Sequence, residues 1–216
     1  MVSFLIVNLL ILVLELFFFM FFKRQSGQDD DEDSFVKFMW YSLFFFTSLF
    51  FLLAVILYLL VHCKNPGYTR SISEEQFPKY LDRALKEGRN LDYFCFFCRA
   101  LWSSTSVHCM ACKTCIEGFD HHCNFVNNCI GFGNHRFFLM FLVAGFFYAV
   151  FIIMNTIWIM LRRLTLCDED ESAFKICNPG LERSTVIVMS WVTLSITFFQ
   201  IVPLSWQLFM QVKKLC

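Results

Sequence analysis

Seven of the chain's 11 cysteines and three of its five histidines crowd into one stretch: Cys95-x2-Cys98, then His108-Cys109-x2-Cys112-x2-Cys115, then His121-His122-Cys123, then Cys129. Crowding of that kind means a disulfide framework or a metal site. A Cys-x2-Cys pair supplies the chelate bite of tetrahedral zinc, and two such pairs are present. Iron–sulfur ligation is the alternative for so many thiols, but the interspersed imidazoles favour zinc, which accepts Cys3His sets. Ten candidate ligands are more than two four-coordinate sites can use, so two groups are spare. His108 and Cys109 are adjacent and can hardly chelate one ion together, so they serve different ions and the sites interleave. Spacing alone leaves open which cysteine is spare.

Asp120-His121-His122-Cys123 adds a second kind of chemistry. A thiol becomes a nucleophile when a base or cation lowers its pKa, and the base works best when a third group orients it. Carboxylate, imidazole and thiol stand here within a single tetrapeptide. One histidine can ligate metal while the other serves as base, so the surplus pair suits covalent catalysis.

The elements that must position these residues are membrane helices. Apolar residues make up 57% of the chain, 30 of them Phe, which leaves too little polar surface for a soluble domain. Four segments are long enough to cross a bilayer: Val2–Phe22, Phe38–Val61, Phe137–Leu161 and Ser184–Met210. The first reads as a retained helix, because no basic n-region precedes it and no small-residue cleavage site follows. Four crossings put both termini and the long 62–136 segment on one side, and the acidic runs Asp29–Asp33 and Asp168–Glu171 on the other. Zinc–thiolate clusters persist where thiols stay reduced, so the long segment is expected in the cytosol. Cys167 and Cys177 would then be lumenal and able to form a disulfide. No basic patch with interleaved aromatics suggests nucleic acid.

The expected fold is an all-α membrane protein with four transmembrane helices and a cytosolic two-zinc module between the second and third. Its parts are residues 1–61 (two helices and a short acidic loop), 62–136 (the module, core 95–129) and 137–216 (two helices and a second acidic loop). Within the module, Ser73-Glu74-Glu75-Gln76 resembles a helix start, Leu81, Ala84 and Leu85 follow at apolar helical spacing, and Gly88 can end the helix. No internal repeat is evident.

The pattern Cys-x2-Cys-x9-His-Cys-x2-Cys-x2-Cys-x4-Asp-His-His-Cys-x5-Cys-x4-Asn-x3-Phe runs unbroken from Cys95 to Phe138. It resembles the DHHC cysteine-rich domain of protein S-acyltransferases (palmitoyltransferases). The resemblance implies one zinc on Cys95, Cys98, His108 and Cys115, and another on Cys109, Cys112, His122 and Cys129. It implies Cys123 as the acyl-accepting nucleophile, His121 as its base and Asp120 as the group orienting His121. It further implies a fatty acyl-CoA, palmitoyl-CoA in particular, as co-substrate. The acyl chain would lie among the helices near Phe125, Phe138, Phe141 and Tyr148, with Asn134 also among the acyl-CoA-binding residues. Protein substrates with cytosolic cysteines would receive the acyl group, at endoplasmic reticulum or Golgi membranes. A catalytically weak or silent zinc-stabilised adaptor of the same fold is the alternative.

Four features depart from the family pattern. Trp102-Ser103-Ser104-Thr105 replaces a basic-Pro-x-Arg stretch, Asn124-Phe125 replaces Pro-Trp, and Asn65-Pro66-Gly67 replaces Asp-Pro-Gly; no Thr-Thr-x-Glu follows the fourth helix. Glu15 would be an intramembrane acid, either a functional candidate or simply facing a polar partner such as Asn155 or Gln200. His62, Cys63 and His135 at the membrane edges are expected to be structural, with Cys63 alternatively an acylation candidate. Lys213-Lys214 resembles a dilysine retrieval signal.

Overall fold

The computed structural model describes residues 9, 10, 13, 34–88, 94–101, 103–165 and 183–215. In chain order these form helix α1 (Ser34–Cys63), helix α2 (Phe77–Lys86), six short strands, helix α3 (His135–Thr165) and helix α4 (Arg183–Leu215). Among the described residues, three 27-residue spans, Lys37–Cys63, His135–Leu161 and Ile187–Lys213, are long and apolar enough to cross a membrane. Each is about 40 Å of helix, more than a hydrocarbon core of about 30 Å requires. Apart from Leu9, Leu10 and Val13, the expected span Val2–Phe22, with Glu15, lies outside the described residues, as do Cys167 and Cys177 and the side chain of Lys214.

The chain forms two compact units, one of Ile56–Met140 and one built from Val2–Val55 and Phe141–Cys216. The membrane unit is held by rings. Phe46 stacks on Phe151 at 5.4 Å, Phe50 on Phe147 at 5.3 Å, and Phe51 lies against Tyr148 at 5.5 Å, joining α1 to α3. Tyr148 and Ile152 form a buried cluster that Ile196 of α4 joins. Asn155 donates to the Thr47 hydroxyl at 2.7 Å, and that hydroxyl donates to the Leu43 carbonyl, so both polar side chains are satisfied where no water competes.

The all-α expectation fails in the module, which is built of three antiparallel hairpins. β1 (Phe94–Cys95) pairs with β2 (Ala100–Leu101), β3 (Val107–Cys109) with β4 (Thr114–Ile116), and β5 (His121–Cys123) with β6 (Asn128–Ile130). Two- and three-residue strands carry no periodic apolar signal, so patterning does not reveal them. The expectation of no internal repeat fails too. Cys95, Cys109 and Cys123, spaced fourteen residues apart, each end the first strand of a hairpin and pair with the residue five positions on: Ala100, Thr114 and Asn128. Each turn then carries a left-handed residue four positions after its cysteine: Arg99 (φ 51), Lys113 (φ 53) and Asn127 (φ 50).

The segment after α1 stitches these hairpins together. Asn65 Oδ1 accepts from the Gly67 and Tyr68 amides at 2.8 and 2.9 Å, fixing the Asn65-Pro66-Gly67 turn. Gly133 donates to the Pro66 carbonyl at 3.0 Å, and a Cβ on Gly133 would sit 2.2 Å from the Asn65 carbonyl oxygen, so only glycine fits there. Farther along, Thr69 N–H donates to Cys115 and Ile72 N–H to Arg99, while Glu74 and Arg99 form an ion pair. Helix α2 begins four residues later than the Ser73 signal suggests. Ser73 instead closes a turn by accepting from Gln76 and Phe77 N–H, Pro78 follows in the first helical turn, and Gly88 (φ 67) ends the helix. Ala84 is buried, but Leu85 is exposed, so the apolar face is narrower than expected.

Candidate active site and metal centres

The hairpins bring the eight expected ligands together in two groups of four: Cys95, Cys98, His108 and Cys115, and Cys109, Cys112, His122 and Cys129. Within each group the ligand atoms all lie within 4.8 Å of one another. His108 Nδ1 stands 3.5, 3.1 and 3.7 Å from the sulfurs of Cys95, Cys98 and Cys115. His122 Nδ1 stands 3.7, 3.4 and 3.5 Å from those of Cys109, Cys112 and Cys129. A tetrahedral ion with zinc-like bonds of about 2.3 Å to sulfur and about 2.05 Å to nitrogen separates those donors by about 3.5 Å, so both sets fit one. The hairpins also explain the interleaving. Each set takes a Cys-x2-Cys pair from one hairpin and a histidine and a cysteine from the next.

Cys123 belongs to neither set. It ends β5, half-buried, and its sulfur accepts hydrogen bonds from His121 and from the backbone N–H groups of Val126 and Phe125. Burial pushes this thiol up, but those donors and the His121 charge outweigh it and bring the thiol below its ordinary value. His121 moves the other way. Its hydrogen bond to Cys123 and then Asp120 hold it above the usual imidazole value against the opposing effect of burial. Asp120 Oδ2 accepts from His121 Nδ1 at 3.1 Å, which fixes the tautomer and leaves Nε2 for the thiol. Side chains 120, 121 and 123 therefore form a carboxylate–imidazole–thiol chain on one hairpin.

A family comparison places this arrangement. A sequence profile of the DHHC palmitoyltransferase family matches residues 89–216. The chain belongs to that family. Among curated relatives it is 37% identical over 112 residues to Palmitoyltransferase akr1 of Schizosaccharomyces pombe, covering 47% of this chain and 17% of that protein. It is 41% identical over 69 residues to Palmitoyltransferase ZDHHC2 of Rattus norvegicus, covering 32% and 19%, and 46% identical over 59 residues to Palmitoyltransferase ZDHHC14 of Homo sapiens, covering 27% and 12%. The matched region thus spans less than a fifth of the length of each of these relatives.

The residues expected to meet acyl-CoA fall in several environments. Phe138, buried, presents its ring edge-on to His121 at 5.4 Å. Phe125 is exposed, with its ring edge against Tyr58 of α1 at 6.3 Å. Phe141 and Tyr148 are buried on α3 within the membrane unit. Asn134 is the correction. It is wholly buried, and its amide is engaged by protein groups: Nδ2 donates to the Cys129 carbonyl at 2.8 Å and the Val61 carbonyl at 3.4 Å, and Oδ1 accepts from Gly131 N–H at 3.0 Å. With both amide hydrogens used, it is a clamp rather than a ligand-binding group.

One further residue, Asn128, escaped sequence reasoning, and His62, expected as a structural residue at the membrane edge, proves to take a specific part in fixing the site. Asn128, buried and opposite Cys123 in the register, donates to the carbonyls of Val61, His62 and Lys64 at 2.9, 3.1 and 3.0 Å. These are carbonyls at the end of α1 that no intrahelical donor can reach. From the helix side, His62 Nδ1 donates to the Val126 carbonyl in the turn after Cys123 at 2.7 Å. The Cys123 hairpin is therefore locked to the last turn of α1. The available sequence signal is a repeat: His108-Cys109-x5-Cys115-Ile116 recurs fourteen residues later as His122-Cys123-x5-Cys129-Ile130.

Proposed function

We propose that this chain is a protein S-acyltransferase that moves a long-chain acyl group, palmitoyl above all, from acyl-CoA to cysteines of cytosolic or membrane proteins through an acyl-Cys123 intermediate. The observation that carries the reading is Cys123 itself. It is a thiol excluded from both Cys3His sets and coupled to an imidazole that a carboxylate orients. The Cys123 thiolate attacks the thioester carbonyl, the carbon–sulfur bond to CoA breaks, and protonated His121 returns the proton to the departing CoA thiolate. His121 then takes a proton from an incoming substrate thiol, which attacks acyl-Cys123 and releases the enzyme thiol. Asp120 holds the imidazole in the required tautomer throughout. Phe138 lies edge-on against one side of His121, and Phe125 supplies exposed apolar surface for an acyl chain, where each buried methylene contributes about 0.8 kcal/mol.

The two Cys3His sets would hold zinc as closed structural sites, which stabilise the hairpins and leave no open coordination position for catalysis. Thiolate ligands favour the reducing side of the membrane, so the module faces the cytosol in this reading, in an endoplasmic reticulum or Golgi membrane. The test is labelling of purified protein with a radioactive or clickable acyl-CoA. Wild type should carry a hydroxylamine-sensitive thioester that Cys123→Ser lacks. Label of equal intensity in Cys123→Ser would remove the nucleophile assignment. A well-folded wild type without label would instead fit a silent adaptor.

A further inference from the structure

The three hairpin turns share one design and differ at one position. Cys112 N–H donates to the Cys109 sulfur at 3.4 Å, and in all three turns the backbone N–H groups two and three residues on favour the thiolate of the strand-ending cysteine: Phe97 and Cys98 for Cys95, Ala111 and Cys112 for Cys109, Phe125 and Val126 for Cys123. The register and the left-handed residue are shared as well. The first two turns close on a second metal-ligating thiol, Cys98 or Cys112; the third closes on Val126, which is 0% exposed. The metal sets show why the series stops there. Each cysteine pair completes its site with a histidine and a cysteine from the next hairpin. The chain enters α3 at His135, and a further fourteen-residue step places Arg136 and Val143 where that histidine and cysteine would be needed.

We infer that Val126 keeps Cys123 available for acylation, because the third hairpin repeats the register and left-handed turn of the two hairpins that carry Cys-x2-Cys ligand pairs but lacks their second thiol. This inference deepens the acyltransferase reading and rests on it for the word acylation. A thiolate shared with a divalent ion is a weakened nucleophile, and its acylation would cost the site a ligand. With valine at this place, Cys123 and His121 together offer too few donors to close a site, and the apolar side chain bars a further one from the turn. His62 on the Val126 carbonyl at 2.7 Å fixes the turn that follows Cys123 without a metal ligand in it.

The test is Val126→Cys beside Val126→Ala, each as the full chain in detergent under reductant. Bound metal is counted, Cd(II) is the probe of thiolate ligation by its charge-transfer absorption, and acyl-CoA labelling reads Cys123. Val126→Ala, which keeps the backbone N–H and adds no donor, should hold about two ions per chain and sets the reference for the label. Val126→Cys should take up about one ion more and lose about 100-fold or more of the label, and adding Cys123→Ser should remove the extra ion. A Val126→Cys protein with two ions and the label of Val126→Ala overturns the inference. Should Val126→Cys not fold, wild type decides: Cd(II) added beyond two equivalents should bring no further thiolate absorption, and an extra band that disappears in Cys123→Ser overturns it. Absence of label on wild-type Cys123 sinks the acyltransferase reading separately, while the metal counts still judge Val126.

Discussion

The second and third hairpins, β3–β4 and β5–β6, have the same backbone and opposite chemistry. Both begin with His-Cys and end with Cys-Ile, both pair residue i with i+5, and both turn through a left-handed residue. The second gives all four of its ligand residues to metal: His108 and Cys115 to one set, Cys109 and Cys112 to the other. The third gives only His122 and Cys129, and leaves Cys123 to His121. In the proposed reading, one scaffold that would fix thiols for a metal also serves, with few changes, to fix one thiol for a reaction. The geometry supports that economy because a metal ligand and a cysteine nucleophile need the same two things: a thiolate, and a sulfur that does not wander.

The harshest way to break the comparison is to take one sulfur from each hairpin. Cys112→Ser should lose the ion of the second set and most ordered structure in the module, because binding energy of about 10–16 kcal/mol for a structural zinc is also folding energy. Metal analysis with limited proteolysis reads this. Cys123→Ser, eleven residues on, should keep both ions and unfold within about 1 kcal/mol of wild type, yet lose the acyl label. If Cys123→Ser also loses metal, the division between the hairpins is wrong.

A milder break spares every sulfur. His121→Ala should retain both ions and slow acylation of Cys123 by about 100- to 10,000-fold, the usual worth of a positioned base. The sign of the pH effect follows from the structure. His121 lowers the Cys123 thiol by hydrogen bond and by charge, so its removal should move the pH profile of Cys123 alkylation to higher pH. Asp120→Asn should act in the same direction through the imidazole's orientation, leaving the metal content alone.

Much of this contrast was legible before any coordinates. The count of ten donors against two four-coordinate sites gave a surplus pair, and the adjacency of His108 and Cys109 gave the interleaving. Three apolar segments fall within a few residues of the helices α1, α3 and α4, because about 20 consecutive apolar residues admit little else. The hairpins were not legible. Strands of two or three residues have no period, and their shape comes from turn hydrogen bonds to sulfur and from left-handed Arg99, Lys113 and Asn127, residue types that do not advertise that conformation as glycine does. Asn134 was misread for a related reason. An asparagine beside a site looks like a ligand contact in sequence, while only coordinates show its amide spent on Cys129 and Val61.

The smallest predicted effects separate the hairpins by what faces away from the metal. Thr114 and Asn128 hold the same place, each opposite its turn cysteine, Cys109 or Cys123. Thr114 is half-buried and Asn128 is buried under the end of α1, where its amide serves three carbonyls. Asn128→Ala should therefore destabilise the module by about 2 kcal/mol, because the His62 and Lys64 carbonyls would lose this donor and the buried Val61 carbonyl would keep only the longer bond from Asn134. Asn128→Asp should cost more than Asn128→Ala, since it sets a carboxylate against three carbonyl oxygens. Thr114→Ala should stay within about 0.5 kcal/mol, as exchanges away from such contacts do. Denaturant unfolding with constant metal content orders the three. Equal losses at 114 and 128 would mean that the third hairpin is anchored to α1 by something other than the Asn128 amide.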